Sequence, residues 1–380
     1  MTDMNDKVSE FIEKQVNDGR QIGVQVCAYQ DGEKIVDTWA GTMGPDDTRL
    51  VQADSLFCSW STTKGVTATA IHMLADRSLI DYDARVADYW PEFTQNGKGE
   101  ITVSQAMSHQ AGIHALPIPF SVEFIVNWDA GIEYIEKAKP AYPPGTKTGY
   151  HAFTFGLIAG GIVQAVTGRH IKKFIKDEIA KPLSVEDEMF VGIPEGVEDR
   201  LTTLEIWDIQ KSFKESGLNL PEDHDFFKAM PNEMWKHFNE MSVRKACIPA
   251  VNGHFTARAL AKMYAALAGD GSIEGVRLVS HKRTSHMNRL VTDDFDIVLG
   301  MPVYKGIGFQ LGGERDGIQG PMGPRKTAFG HSGAGGSIAF ADPEVGLAVA
   351  VTLNKMEFAQ PGTGRALEIC DLIRTELGIS

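Results

Sequence analysis

Ser61-Thr62-Thr63-Lys64 stands where a strand-like segment gives way to an apolar helix that runs from Thr63 to Leu79. Residues three apart share one face of a helix, so the Lys64 amine can reach the Ser61 hydroxyl. At a helix N-terminus the macrodipole and partial burial both disfavour an ammonium, which draws the lysine toward the range a general base needs. The same terminus offers free N–H groups to an oxyanion. Ser-x-x-Lys is a short pattern, and about one match is expected by chance in a chain of this size. A second match does occur, Ser242-Val243-Arg244-Lys245, but it lies in a charged stretch shortly before Pro249, and no apolar helix starts at its serine. It reads as solvated surface. The first match gains weight only from partners elsewhere in the chain.

Before this segment, Asp6 to Asn17 carries apolar residues at Val8, Phe11, Ile12 and Val16, a helical period that Gly19 stops. Ile22 to Tyr29 and Lys34 to Trp39 are β-rich runs around Gln30-Asp31-Gly32-Glu33, in which Asp-Gly is a strong hairpin signal. After it, helix-like segments dominate to about Gly217, broken by Pro91, Gly112, Pro117, Pro119 and Pro143-Pro144-Gly145. Beyond Pro249 a helix from Thr256 to Ala268 leads to strand-like runs at Val303 to Leu311, Thr327 to Phe329, Ser337 to Ala341 and Leu347 to Leu353, and Arg365 to Leu377 reads as a closing helix. Strands at both ends with helices between predict a mixed α/β fold. Residues 1–60 and 250–380 form its sheet domain, residues 61–249 form a mainly helical domain inserted into it, and the active site is expected in the cleft between them. The Gly-rich stretch Gly330 to Gly336 is expected to be a tight turn, or a strand that another segment approaches closely.

Composition narrows the function. With 43% hydrophobic and 23% charged side chains, the 380 residues describe a globular chain, not a disordered or fibrous one. Fifty acidic against 37 basic residues give a net charge of −13, a field that repels polyphosphates and anionic bilayers. Neither nucleic acid nor a membrane is an expected partner. No run of about eighteen apolar residues appears, and Met1 to Arg20 lacks the apolar core of a signal peptide, so the chain is expected in the cytoplasm. Cys27, Cys58, Cys247 and Cys370 are scattered singly, without CxxC pairs, and read as reduced buried thiols. Cys58, three residues before Ser61, is read as packing.

Two further segments carry chemistry. Tyr150 follows the turn Pro143-Pro144-Gly145-Thr146 and precedes an apolar helix start at Phe153, a junction from which a phenol can point into a cleft or simply stay half-buried. Gly330-His331-Ser332-Gly333-Ala334 falls one residue short of a Gly-x-Ser-x-Gly elbow, since position 334 is alanine and no helix follows. A strand bordering a cleft fits it better.

Ser61-x-x-Lys64, then Tyr150 after Pro-Pro-Gly, then His331-x-Gly333 near the C-terminus resembles, in order and spacing, the serine β-lactamase and penicillin-binding-protein superfamily. Within it the chain most resembles class C β-lactamases and family VIII carboxylesterases. Leu79-Ile80-Asp81-Tyr82-Asp83, Tyr89-Trp90-Pro91-Glu92-Phe93 and Ile101 to Gly112 support the likeness, which spans roughly residues 8 to 375. The resemblance implies a β-lactamase/transpeptidase-like fold, an antiparallel sheet flanked by helices. It also implies a catalytic trio of Ser61, Lys64 and Tyr150, and an oxyanion hole from the backbone N–H groups of Ser61 and Ala334. The departures matter as well. Family lactamases carry Tyr-x-Asn where this chain has Tyr150-His151-Ala152, and Ala152 cannot hydrogen-bond a lactam amide. They carry Lys-Thr-Gly where this chain has His331-Ser332-Gly333, and a histidine is mostly neutral at pH 7, which weakens an anion site. Both changes favour neutral esters.

The expected activity is therefore a cofactor-free, metal-free serine carboxylesterase acting on a small to medium neutral ester, with His331, Gly333, Trp60 and Ala152 around the substrate. An acyltransferase using the same acyl-enzyme is the first rival, a weak β-lactamase or peptidase the second, and a non-catalytic binding module the third. Trp60 reads equally as core packing. Trp207 to Met241, with Phe213, Phe226, Phe227, Met230, Met234, Trp235 and Phe238, reads either as an apolar pocket or as ordinary core. His109, His114 and His151 lack carboxylate partners at metal-ligand spacing, and His109 is expected to be a structural histidine.

Overall fold

The computed structural model describes residues 4–379 except 207, 216, 218, 219 and 358. Helix α1 (Met4–Asn17) leads into β1 (Gly23–Gln30) and β2 (Glu33–Gly41). The turn between these strands puts Asp31 at φ +50° and Gly32 at φ +82°, the left-handed pair that a tight hairpin demands. Next come β3 (Phe57–Cys58), α2 (Thr63–Asp76), α3 (Thr154–Thr167), β4 (Met189–Val191), β5 (Gly253–Phe255) and α4 (Ala257–Ala268). The chain closes with β6 (Gln310–Leu311), β7 (Phe329–Ser332), β8 (Ile338–Asp342), β9 (Leu347–Leu353) and α5 (Arg365–Leu377).

Six strands pair antiparallel in the order β6-β7-β8-β9-β1-β2, so the sheet combines strands from early and late in the chain. Val24 pairs with Leu353 and Val26 with Val351 across β1 and β9. Side chains alternate between faces along a strand, and here both faces are covered. Val24, Val26, Val349, Val351 and Leu353 share a cluster with Val8 and Ile12 of α1 and Ile369 and Ile373 of α5. Cys27, Ala339, Ala341, Ala348 and Ala350 point the other way, into a cluster with Leu260, Met263 and Tyr264 of α4. Large residues fill one side, and the alanines of β8 and β9 let α4 lie close on the other. Burying each such valine contributes about 1.5–3 kcal/mol. This two-sided burial is why β9 is buried at every position and apolar at all but Thr352.

Helix α2 is buried on every side from Thr63 to Ala75, its polar residues Thr63, Lys64, Thr67, Thr69 and His72 included. The Tyr264 side chain of α4 reaches it at Gly65, where an ideal Cβ would lie 1.9 Å from the phenol oxygen. The small sheet β3-β5-β4 sits at its N-terminal end. Among the described residues no helix is long and apolar enough to cross a membrane.

Two expectations are corrected. Val303 to Leu311 is not a strand: only Gln310–Leu311 joins the sheet, and Lys305 makes isolated bridges to Thr292 and Gln310. The chain turns through Gly306 and Gly308, the latter at φ +79° against Ala68, because the Lys305 ammonium is drawn inward to a buried carboxylate. Met189–Val191 is a strand within the stretch expected to be helical.

Candidate active site

Ser61 lies in a single 3₁₀ turn, Trp60–Thr62, that runs straight into α2. Trp60 is forced to φ +50°, a left-handed conformation that costs a bulky residue about 1–3 kcal/mol. The bend drives the indole into the core, 4.1 Å from the Phe238 ring and 5.1 Å from Trp235, while Ser61 faces a cavity at 7% exposure. Side chains hold the bend: Thr62 Oγ1 donates to Ser59 O at 2.9 Å, and Thr63 Oγ1 donates to Trp60 O and accepts from Gly253 N at 2.8 Å.

Lys64 follows one helical turn after Ser61. Its Nζ lies 3.1 Å from Ser61 Oγ, 2.7 Å from Ala152 O and 3.0 Å from Ala250 O, and it is fully buried. Among the described residues no carboxylate pairs with it. Burial without a counter-charge holds the amine well below the ordinary lysine range. Burial, one of the two causes expected from the sequence, accounts for this direction. A neutral amine has two N–H bonds and one lone pair. The two carbonyls take the N–H bonds, which leaves the lone pair for the Ser61 hydroxyl.

The Tyr150 hydroxyl donates to Ser61 Oγ at 2.8 Å, and its ring lies 4.8 Å from Lys64 Nζ. Burial raises the phenol above its usual value, so it stays protonated. Its backbone N–H donates to Asp296 Oδ1 at 3.0 Å. The His109 ring packs 5.0 Å from Tyr150, with Nδ1 accepting from His151 N at 3.0 Å. His151 accepts from Ile113 N at 3.0 Å and donates to Gly149 O at 2.6 Å, so both its nitrogens serve the backbone.

Strand β7 brings the third segment in. An ideal Cβ on Gly333 would lie 2.4 Å from Ser59 O, so only glycine lets β7 run against the serine turn and carry Ala334 to the cavity. His331 Nδ1 donates to Ser332 O at 2.6 Å, and burial followed by the nearby Lys64 pulls the ring down to about 3. It is neutral at pH 7, and among the described residues its buried Nε2 meets no hydrogen-bond partner.

Ser61, Tyr150, Gly333 and Ala334 line a cavity of about 550 Å³. Trp60, Ala152 and His331 lie behind its wall, not on it: Trp60 is core, and Ala152 offers its carbonyl to Lys64. The aromatic stretch divides. Phe213, Phe226, Met230 and Trp235 face the cavity, whereas Met234 and Phe238 are core, and Trp207 lies outside the described residues. Leu299, Met301 and Ile318 also line the cavity. Asp296 and Lys305, which the sequence reading missed, form a buried ion pair behind Tyr150. Asp293-Asp294-Phe295-Asp296 looks like a solvated acidic surface, and nothing local marks its last carboxylate as internal.

The family model described as Beta-lactamase matches residues 8–371. Esterase/beta-lactamase LipL of Mycobacterium tuberculosis is 35% identical over 351 residues, covering 89% of this chain and 78% of that protein. The crystal structure of a family VIII carboxylesterase superposes with a TM-score of 0.88 at 32% identity over 98% of both chains. A penicillin-binding protein homologue from Caulobacter crescentus does so with a TM-score of 0.87, also at 32% identity and 98% of both. The matched span runs from α1 to α5 and takes in the serine turn, the tyrosine and strand β7 alike, so the chain belongs to the beta-lactamase family.

Proposed function

We propose that this chain is a serine carboxylesterase that hydrolyses small to medium neutral esters through an acyl-enzyme on Ser61. The observation that carries the reading is the placement of Ser61 Oγ between Lys64 Nζ at 3.1 Å and Tyr150 OH at 2.8 Å on the wall of an apolar cavity. The esterase and carboxylesterase names of its relatives support it.

In the acylation step Ser61 Oγ attacks the ester carbonyl carbon as its proton passes to the Lys64 lone pair. The tetrahedral oxyanion sits against the N–H groups of Ser61 and Ala334. The carbon–oxygen bond to the alcohol then breaks, and Tyr150 delivers a proton to the leaving alkoxide, recharged from Lys64. A water gives its proton back to the same pair and attacks the acyl carbonyl, which frees the acid and restores Ser61. The apolar walls suit a substrate without charge. Neutral His331 and the turned-away methyl of Ala152 give a lactam neither a cation for its carboxylate nor a donor for its amide. The same walls favour an alcohol over water as acceptor, so acyl transfer is the second reading.

A burst-phase assay with p-nitrophenyl esters of increasing acyl length, beside a chromogenic cephalosporin, tests the proposal on wild type and Ser61→Ala. Rapid turnover of esters that depends on Ser61, with little lactam hydrolysis, is the expected result. Full ester turnover by the alanine variant overturns it. A burst whose turnover requires added alcohol selects the acyltransferase.

A further inference from the structure

Asp296 and Lys305 are 0% and 2% exposed, and their charged atoms meet at 2.6 Å. Removing two charges from water costs more than their attraction returns unless further hydrogen bonds satisfy them, and apolar residues of similar volume often stabilise a fold as well or better. Both charged ends find such further partners here. Lys305 Nζ also donates to Thr148 Oγ1 at 2.8 Å. Asp296 uses one oxygen for the lysine and the other for three backbone donors, Tyr150 N at 3.0 Å and Val298 N and Leu299 N at 2.9 Å each. Those donors belong to two separate pieces of the site. Tyr150 carries the phenol that meets Ser61, and Leu299 forms part of the cavity wall. Thr148 O accepts from Ile297 N at 3.0 Å, which ties the same two segments a second time.

We infer that Asp296, held by Lys305, is a positioning residue that fixes the Tyr150 phenol and the Leu299 wall in one frame, so that proton transfer and substrate placement stay in register. Neither residue lines the cavity, so the effect runs through the backbone of Tyr150. The inference rests on the ester-hydrolase reading for its readout. It extends that reading, because the trio alone does not say what holds the tyrosine to the tolerance that proton transfer requires. A displacement of about 1 Å at such a group costs on the order of 100-fold in rate.

The test compares three variants by single-turnover acylation with p-nitrophenyl acetate, with Ser61→Ala as the control. Asp296→Asn with Lys305→Gln removes both charges but keeps an acceptor oxygen for the three N–H groups. It is expected to hold the acylation rate within about threefold of wild type. Asp296→Leu with Lys305→Met removes the acceptor, and with the fold intact by circular dichroism its acylation rate should fall about 100-fold at nearly constant half-saturation. If that variant does not fold, Asp296→Glu keeps the ion pair and displaces the acceptor by one methylene, and about a tenfold loss is expected. A folded leucine or glutamate variant that acylates at the wild-type rate overturns the inference. So does a loss in the asparagine variant as large as in the leucine one, because the backbone acceptor would then not be what matters. Unchanged acylation in Ser61→Ala instead removes the ester-hydrolase reading itself, which keeps the two failures apart.

Discussion

Ser61-x-x-Lys64 and Ser242-x-x-Lys245 share a pattern, yet they occupy opposite environments. The second lies on a five-residue helix, Met241–Lys245, with both its serine and its lysine exposed and Lys245 Nζ 3.7 Å from Glu195 and 3.8 Å from Glu198. The first opens a buried helix, its lysine reaches only neutral oxygens, and a tyrosine arrives from a distant loop. Water and carboxylates keep an ammonium comfortable; dry carbonyls do not. Reactivity therefore belongs to the desolvated surroundings, and the four-residue pattern is only their address.

The sharpest way to break this contrast is at the serines. Ser61→Ala is expected to lower ester turnover by about 10⁴-fold or more, whereas Ser242→Ala leaves it unchanged, both read by steady-state hydrolysis. Equal effects of the two substitutions would erase the distinction. At the lysines and the tyrosine, Lys64→Met should cost about 10³-fold and Tyr150→Phe about 10²-fold, while Lys245→Met costs nothing measurable.

The pH profile probes the same difference. Because burial lowers Lys64, its neutral form should already be present well below the ordinary lysine value of 10.5. The quotient kcat/KM should fall as pH drops through that lowered value and be flat above it. A rate that keeps climbing up to pH 10.5 would mean that the lysine is not desolvated in the active form.

Desolvation also reaches stability. Burial pulls His72, His151, His254 and His331 from 6.5 to about 3. Between these values the unfolded chain binds protons that the folded chain refuses, so stability is full above pH 6.5 and is lost as pH falls toward 3. Each ring contributes a slope of up to about 1.4 kcal/mol per pH unit. Urea titrations from pH 7 to 4 check this, and a flat midpoint across the range would contradict it. The smallest effect belongs to the exposed motif: Lys245→Ala should change stability by less than about 0.5 kcal/mol, since its ion pairs are long and solvated.

What the sequence disclosed about the site follows chain locality. Ser61 and Lys64 are one helical turn apart, and Tyr150 stands between a proline turn and an apolar helix, so each carries a weak local signal that only the family resemblance in order and spacing joined into one site. The first two strands were legible for the same reason, from the hairpin at Asp31-Gly32. The frame behind Tyr150 was not, because Asp296 reaches it across 146 residues and sits in an acidic stretch that any surface could carry. Val303 to Leu311 misled for a related reason: its β-type residues flank a lysine whose side chain turns inward, and two glycines let the chain follow it. Nor does an aromatic-rich stretch reveal which ring meets a void and which meets another ring. Phe226 and Phe238 differ only in that.

The pairing of Val24 with Leu353 has a consequence for how the molecule comes into being. Strand β1 is made early, and its second neighbour, β9, comes only after nearly the whole chain has been synthesised. Until then one edge of β1 and both of its apolar faces lack their final cover. A topology that joins such distant segments closes slowly, and its partly assembled forms are prone to aggregate. Pairing of β1 with β9 is thus a late event in the folding of the central sheet.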